Sequence, residues 1–285
     1  MLHRYTLILF LFGTSLFSCS KSDDTSNGTG TAAKTMLNVS YGSAALQNMD
    51  IYLPANRNSN TKVMFIIHGG GWSGGDKSDM NPYVDTMKRR KPDYAIININ
   101  YRLALSGSNL FPTQENDVKQ AIEFIYTHRN EYTISDRFVL VGASAGGHLA
   151  LLQGYKYDAP VKPKAIIDFF GPTDMKDMYE HPVLTGGDLP ILAVMGATPQ
   201  QDSLLYAHSS PINYVSATCP PTMILQGGAD VIVNPLQSQT LYARLQLAGI
   251  PAQLAFYPSQ GHGWIGPDLT DSFNQIDAFL NSYVP

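Results

Sequence analysis

The stretch Phe138-Val139-Leu140-Val141-Gly142-Ala143-Ser144-Ala145-Gly146-Gly147-His148-Leu149-Ala150-Leu151-Leu152 decides the fold. Phe138 to Val141 is a short apolar, β-branched run of the kind buried on both faces of a sheet. Ser144 to Leu152 reads as a helix, with Gly154 as its C-cap. Between them lies a G-x-S-x-G, Gly142 to Gly146, in a strand-to-helix turn. A turn so sharp needs glycine where a Cβ would clash, and it lifts the serine above the sheet on a strained backbone. The helix behind it presents free N–H groups to developing negative charge. Gly-Ala-Ser also occurs in mere close-packing turns, but strand before and helix after make Ser144 the candidate nucleophile.

Similar apolar runs occur at Val63 to Ile67, Ala95 to Ile99, Ala165 to Phe170, Met223 to Leu225 and Ala252 to Phe256. Met36 to Tyr41 and Gln47 to Leu53 read as a hairpin at a sheet edge. Helical patterns lie between or after them: the stripe Asp117, Val118, Ala121, Ile122 and Ile125, then Pro235 to Leu247 and Asp268 to Tyr283. Such alternation predicts an α/β class, a mostly parallel doubly wound sheet flanked by helices, with its chemistry at the carboxyl ends of the strands. The signals run without a break over residues 36–285, which predicts one catalytic domain. Gly171 to Cys219, after the sixth strand, has no firm periodicity. It is read either as a small lid over the site or as an irregular surface excursion.

A serine hydroxyl needs a base within reach and a carboxylate to fix that base. Of seven histidines, His262 lies in a loop after the last apolar strand, in Ser259-Gln260-Gly261-His262-Gly263-Trp264. His148 falls inside the nucleophile helix, and His181 and His208 fall in the irregular segment. Asp230 follows a strand that runs into the glycine turn Gly227-Gly228, and is the candidate acid. Asp168, within a strand, and Asp174, after Gly171-Pro172-Thr173, are its rivals. His68-Gly69-Gly70-Gly71-Trp72 also follows a strand, and its glycines let the backbone approach a substrate closely. The expected oxyanion hole is the N–H of Ala145 with that of Gly70 or Gly71.

A net charge of −4 and a pI near 5.9 leave no electrostatic footprint for nucleic acid. No Gly-Lys-Ser/Thr follows the glycine loop, which argues against nucleotide binding. Neither H-E-x-x-H nor paired-cysteine spacing occurs, so no metal and no cofactor is implied. Cys219 reads as a buried small apolar residue.

Residues 1–18 carry Arg4 and the apolar run Leu7 to Phe17, too short to span a bilayer and suited to a signal peptide. Leu16-Phe17-Ser18-Cys19 resembles the lipobox of bacterial lipoproteins. The resemblance implies acylation of Cys19, export, and a lipid anchor as the chain's contact with a membrane. Residues 19–35 read as a flexible tether, poor in apolar surface.

Asp50-Ile51-Tyr52-Leu53-Pro54, the His68 to Trp72 loop, Asn100-Tyr101-Arg102-Leu103, the Gly142 to Gly147 turn and Gly261-His262-Gly263 together resemble bacterial esterases related to the hormone-sensitive lipase group. Within that group the resemblance is to feruloyl and acetylxylan esterases. It implies the α/β-hydrolase fold with an eight-stranded sheet and no cofactor. The triad then falls on Ser144, Asp230 and His262, and the oxyanion hole on Gly70, Gly71 and Ala145. The implied substrate is a small-molecule or oligosaccharide ester with a short-chain or aryl acyl group. Ala143 stands where that group usually has an acidic residue, which argues against a long-chain lipase. Prolyl-oligopeptidase-like peptidases share the glycine-serine turn but typically carry tyrosine where this chain has Ala145. Kynurenine formamidases share the His-Gly-Gly loop, commonly with tyrosine at the position of Gly71. An inactive hydrolase scaffold that binds glycans would show a lost triad member, and none is lost.

Overall fold

The computed structural model describes residues 30–285. The signal-peptide segment 1–18, Cys19 and most of the tether lie outside the described residues. The strands are β1 Lys34–Ser40, β2 Asn48–Leu53, β3 Val63–Ile67, β4 Ala95–Ile99, β5 Phe138–Ala143, β6 Ala165–Phe169, β7 Thr222–Gly227 and β8 Ala252–Tyr257. They form one eight-stranded sheet in the order β1-β2-β4-β3-β5-β6-β7-β8. The β1–β2 and β2–β4 pairs are antiparallel, and every other pair is parallel.

The continuous apolar runs are explained by burial on both sides, since β3 to β7 are buried at every position. Phe65, Ile97, Leu140 and Ile166 face one layer, and Met64, Ile96, Val139 and Ile167 face the other. On the first face pack α2 Thr113–Tyr132, α3 Ala145–Lys156 and α7 Pro235–Leu247; on the second, α1 Asn81–Arg90 and α8 Pro267–Tyr283. Each Leu, Ile or Phe withdrawn from water in this way contributes about 1.5–3 kcal/mol. The nucleophile turn is thereby mounted on a rigid central strand, β5, between β3 and β6.

Two local expectations need correction. The edge strand begins at Lys34, inside the segment 19–35 read as tether: Lys34 and Thr35 pair with Leu53 and Tyr52, and the Asn56 N–H donates to Thr31 O at 2.7 Å. Backbone pairing at an exposed edge leaves no apolar pattern to read. Gly154 is not a C-cap, because α3 runs on to Lys156. A Cβ on Gly154 would come 2.4 Å from Ile166 Cδ1, so this glycine lets the helix sit close on β6.

Residues 171–219 hold three short helices, α4 Met175–Glu180, α5 Asp188–Met195 and α6 Ser203–His208, and a 3₁₀ turn at Pro211–Tyr214. Met175, Ile191, Val194, Met195 and Tyr206 tie the segment to the α2/α3 side of the core. Cys219 is buried and free, with its Sγ donating to Tyr214 O at 3.5 Å.

Candidate active site

Ser144 occupies the corner between β5 and α3 with φ 56° and ψ −121°, a backbone that L-residues seldom adopt. The corner exists because its neighbours lack side chains. A Cβ on Gly142 would lie 2.1 Å from Gly146 O, and one on Gly146 would lie 2.1 Å from Ile67 O and 2.6 Å from His68 O. Those obstacles are backbone atoms of the turn and of the β3 end, which cannot swing aside as a side chain can. Gly146→Ala is therefore expected to destabilise the protein by about 3 kcal/mol or more, through the clash of its Cβ with backbone that cannot move aside. Thermal unfolding measures this, and an unchanged Tm would contradict the close approach. The Ser144 N–H donates to Phe169 O at 2.8 Å, which locks the corner to β6.

The loop after β8 brings His262 to this corner, with its Nε2 2.9 Å from Ser144 Oγ and its Nδ1 2.8 Å from Asp230 Oδ2. A carboxylate can only accept, so Nδ1 carries the hydrogen and Nε2 is left to accept the serine O–H. Phe170, itself at φ 45°, packs its ring 4.7 Å from the imidazole and confines it. Asp230 follows β7 and is buried. Its Oδ1 accepts from the N–H groups of Ile232 and Val233 at 2.8 and 3.0 Å, and its Oδ2 also accepts from Gln226 Nε2 at 3.1 Å. Burial alone would raise its pKa. The bond to His262 and the two N–H donors outweigh burial and hold Asp230 below the usual aspartate value.

The rival acids stand elsewhere. Asp168 is fully buried in β6, where its Oδ1 accepts from the Gly171 N–H at 3.0 Å and abuts Gly147. Burial pushes its pKa well above the usual range, against the pull of the Gly171 N–H. Asp174 caps α4, accepting from the Asp177 N–H at 3.0 Å.

Gly69 to Trp72 leave the end of β3 and border the same cavity as Ser144. Gly70 has φ +102°, and a Cβ there would fall 2.2 Å from Gly74 O. Its carbonyl accepts from Ser73 and Gly74 at 3.2 and 2.9 Å, closing a tight turn. Among the described residues, the N–H groups of Gly70, Gly71 and Ala145 donate to none of the turn and loop carbonyls, and Gly70 and Gly71 line the cavity that Ser144 lines. The Asn100-Tyr101-Arg102 run supports the loop from behind. Tyr101 stacks on His68 at 4.2 Å and donates to His68 O and Gly69 O at 3.0 and 3.2 Å. Arg102 pairs with the fully buried Asp117.

The cavity has a volume of about 610 Å³. Met178, Leu184 and Ile191 from the 171–219 segment, Val231 and Ile232 beside Asp230, and Trp72 and Phe170 give it an apolar wall. Among the described residues, no Lys, Arg, Asp or Glu lines it. Val183, Leu184, Val231 and Ile232 are 43–48% exposed, so its rim is also apolar. Among the described residues, no group of three or more His, Cys, Asp or Glu side chains is arranged to hold a metal. The cavity wall contributed by 182–191 falls within the segment read as a lid or a surface excursion, though no single wall residue was legible there; the packing of Phe170 on His262 was missed from sequence, because it leaves no local pattern.

Comparison with known proteins follows the same lines. The BD-FAE family model matches residues 49–245, a span that contains Ser144 and Asp230. The probable carboxylic ester hydrolase LipM of Mycobacterium tuberculosis is 28% identical over 247 residues, covering 79% of this chain and 55% of LipM. The acetylxylan esterase of Xylanibacter ruminicola is 28% identical over 240 residues, covering 82% of this chain and 46% of that protein. The chain thus spans about half the length of these curated relatives. A truncated form of a carbohydrate esterase from gut microbiota superposes with TM-score 0.75 at 25% identity, over 89% of this chain and 99% of that chain. The eight-stranded, mostly parallel sheet with helices on both faces is the α/β-hydrolase fold expected from the sequence.

Proposed function

We infer a function from the premise that this chain belongs to the BD-FAE family: it is a serine-dependent carboxylic-ester hydrolase. One observation carries the inference, the run of hydrogen bonds Ser144–His262–Asp230 at 2.9 and 2.8 Å, open to a cavity. Ser144 Oγ attacks the acyl carbon while His262 Nε2 takes its proton. The adduct's oxygen receives the N–H of Ala145 and that of Gly70 or Gly71, each donor typically contributing about 10²- to 10³-fold in rate. His262 returns the proton to the leaving alcohol, and water repeats the sequence on the acyl-enzyme.

The cavity supports a short-chain or aryl acyl group. An acetyl group would leave most of about 610 Å³ unfilled, whereas a flat aryl acyl group such as feruloyl would bury against Phe170, Leu184 and Ile232. An alcohol on an oligosaccharide is supported by the likeness to a carbohydrate esterase and to an acetylxylan esterase. The test is a rate comparison over nitrophenyl acetate, longer nitrophenyl esters, acetylated and feruloylated xylan fragments, an aminoacyl anilide and formylkynurenine. The expected result is ester turnover with kcat/KM for feruloyl above acetyl. Turnover confined to the amides would replace this function by a peptidase or formamidase.

The exported, lipid-anchored location read from residues 1–19 is part of the same proposal. Cys19→Ser is expected to move the protein from the membrane fraction to the soluble one, and continued sedimentation with membranes would rule the anchor out.

A further inference from the structure

The nucleophile helix, the Gly69 to Trp72 loop and the 171–219 segment come from distant parts of the chain, and His148 touches all three. It lies one turn beyond Ser144, its N–H donating to Ser144 O at 3.0 Å, and it is fully buried. Its Nδ1 accepts from Trp72 Nε1 at 3.1 Å, and its Nε2 meets Ser209 O at 2.7 Å. An indole nitrogen only donates and a carbonyl only accepts, so the two partners require a neutral ring with hydrogen on Nε2.

Trp72 needs such an anchor. Its φ is +58°, a left-handed backbone that is rare for so large a residue. Strain of this kind persists only where surrounding contacts over-determine it. Those contacts are the bond to His148, an edge-to-face ring contact with it at 5.1 Å, and the Ala104 N–H donating to Trp72 O at 2.9 Å.

We propose that His148 is a positioning residue: by holding Trp72 in its left-handed backbone it fixes the Gly70 and Gly71 peptide units that receive the oxyanion, and by bonding Ser209 it ties them to the segment that walls the cavity. The kinetic consequence rests on the ester-hydrolase function above; the bond itself does not. If Trp72 relaxes to negative φ, the glycine N–H groups turn away from the adduct. An interaction made chiefly in the transition state is then lost, so kcat falls and KM holds.

The test uses W72F, H148F, the double variant and H148N on the full chain, with thermal melting to confirm folding. W72F and H148F are each expected to lower kcat by about tenfold or more, with KM within about twofold, on the scale of a weakened oxyanion donor. Because both remove one bond, the double variant should lose no more than the worse single. H148N, whose side-chain oxygen can still accept from the indole, should recover most of the kcat lost in H148F. Losses that multiply, or a raised KM with kcat retained, would overturn the proposal; if H148F does not fold, W72F alone still decides it, kcat lost with KM held supporting the proposal and KM raised with kcat retained overturning it. A second readout needs no turnover. Trp72 and Trp264 are the two tryptophans, so in a W264F background the remaining indole N–H resonance belongs to Trp72. It should exchange slowly and shift in H148F. An unmoved resonance refutes the positioning role, whereas an unaltered protein that hydrolyses no ester refutes the enzymatic function instead.

Discussion

Ser144→Ala is expected to lower kcat for a nitrophenyl ester by about 10⁶-fold and to leave the fold intact. The size follows from the part removed. Among the described residues no other hydroxyl shares the contact with His262 Nε2, and a water in its place lacks the fixed approach to the acyl carbon. The fold survives because the strained corner is set by Gly142, Gly146 and the Phe169 carbonyl, none of which contacts the hydroxyl. His262→Ala should cost nearly as much, and the double variant no more than either alone, since the two side chains perform one proton transfer. A fluorophosphonate should label the unaltered protein at Ser144 and leave Ser144→Ala unlabelled. A well-folded Ser144→Ala protein with kcat near the original would remove the proposed mechanism.

What could be read in the sequence was whatever the backbone itself demanded locally. The Gly142 to Gly146 turn is legible because only glycine survives 2.1 Å from a carbonyl, and β3 to β7 are legible because burial on both faces leaves mostly apolar residues. His262 and Asp230 could be nominated because each follows a strand, and the sheet aims such loops at one edge. Distant partners decided the rest. His148 looks like any helical residue until Trp72 and Ser209 are placed against it. The helices α4, α5 and α6 are six to eight residues long, too short for a period of 3.6 to declare itself. Helix α1 buries only Val84 and Met87, which leaves its apolar stripe too thin to see.

Asp230→Asn is expected to lower kcat by about 10⁴-fold, and local geometry supplies the reason. Four donors converge on this carboxylate: Ile232 and Val233 N–H on Oδ1, and His262 Nδ1 and Gln226 Nε2 on Oδ2. Asparagine offers one oxygen and one amide. Keeping the oxygen against the two backbone donors, which cannot move, puts the amide N–H against the imidazole. Nδ1 must then accept, the hydrogen shifts to Nε2, and the ring faces Ser144 with a donor where it needs an acceptor. Turning the amide round would set its N–H group against both backbone N–H groups, an arrangement that costs more. The rivals provide the controls. Asp174→Asn should keep kcat within about twofold, because asparagine caps a helix as well as aspartate does. Asp168→Asn should do the same, since asparagine retains an oxygen for the Gly171 N–H and Asp168 bonds to neither Ser144 nor His262. If either control lost activity on the scale expected of Asp230→Asn while Asp230→Asn kept it, the orienting carboxylate would have to be reassigned.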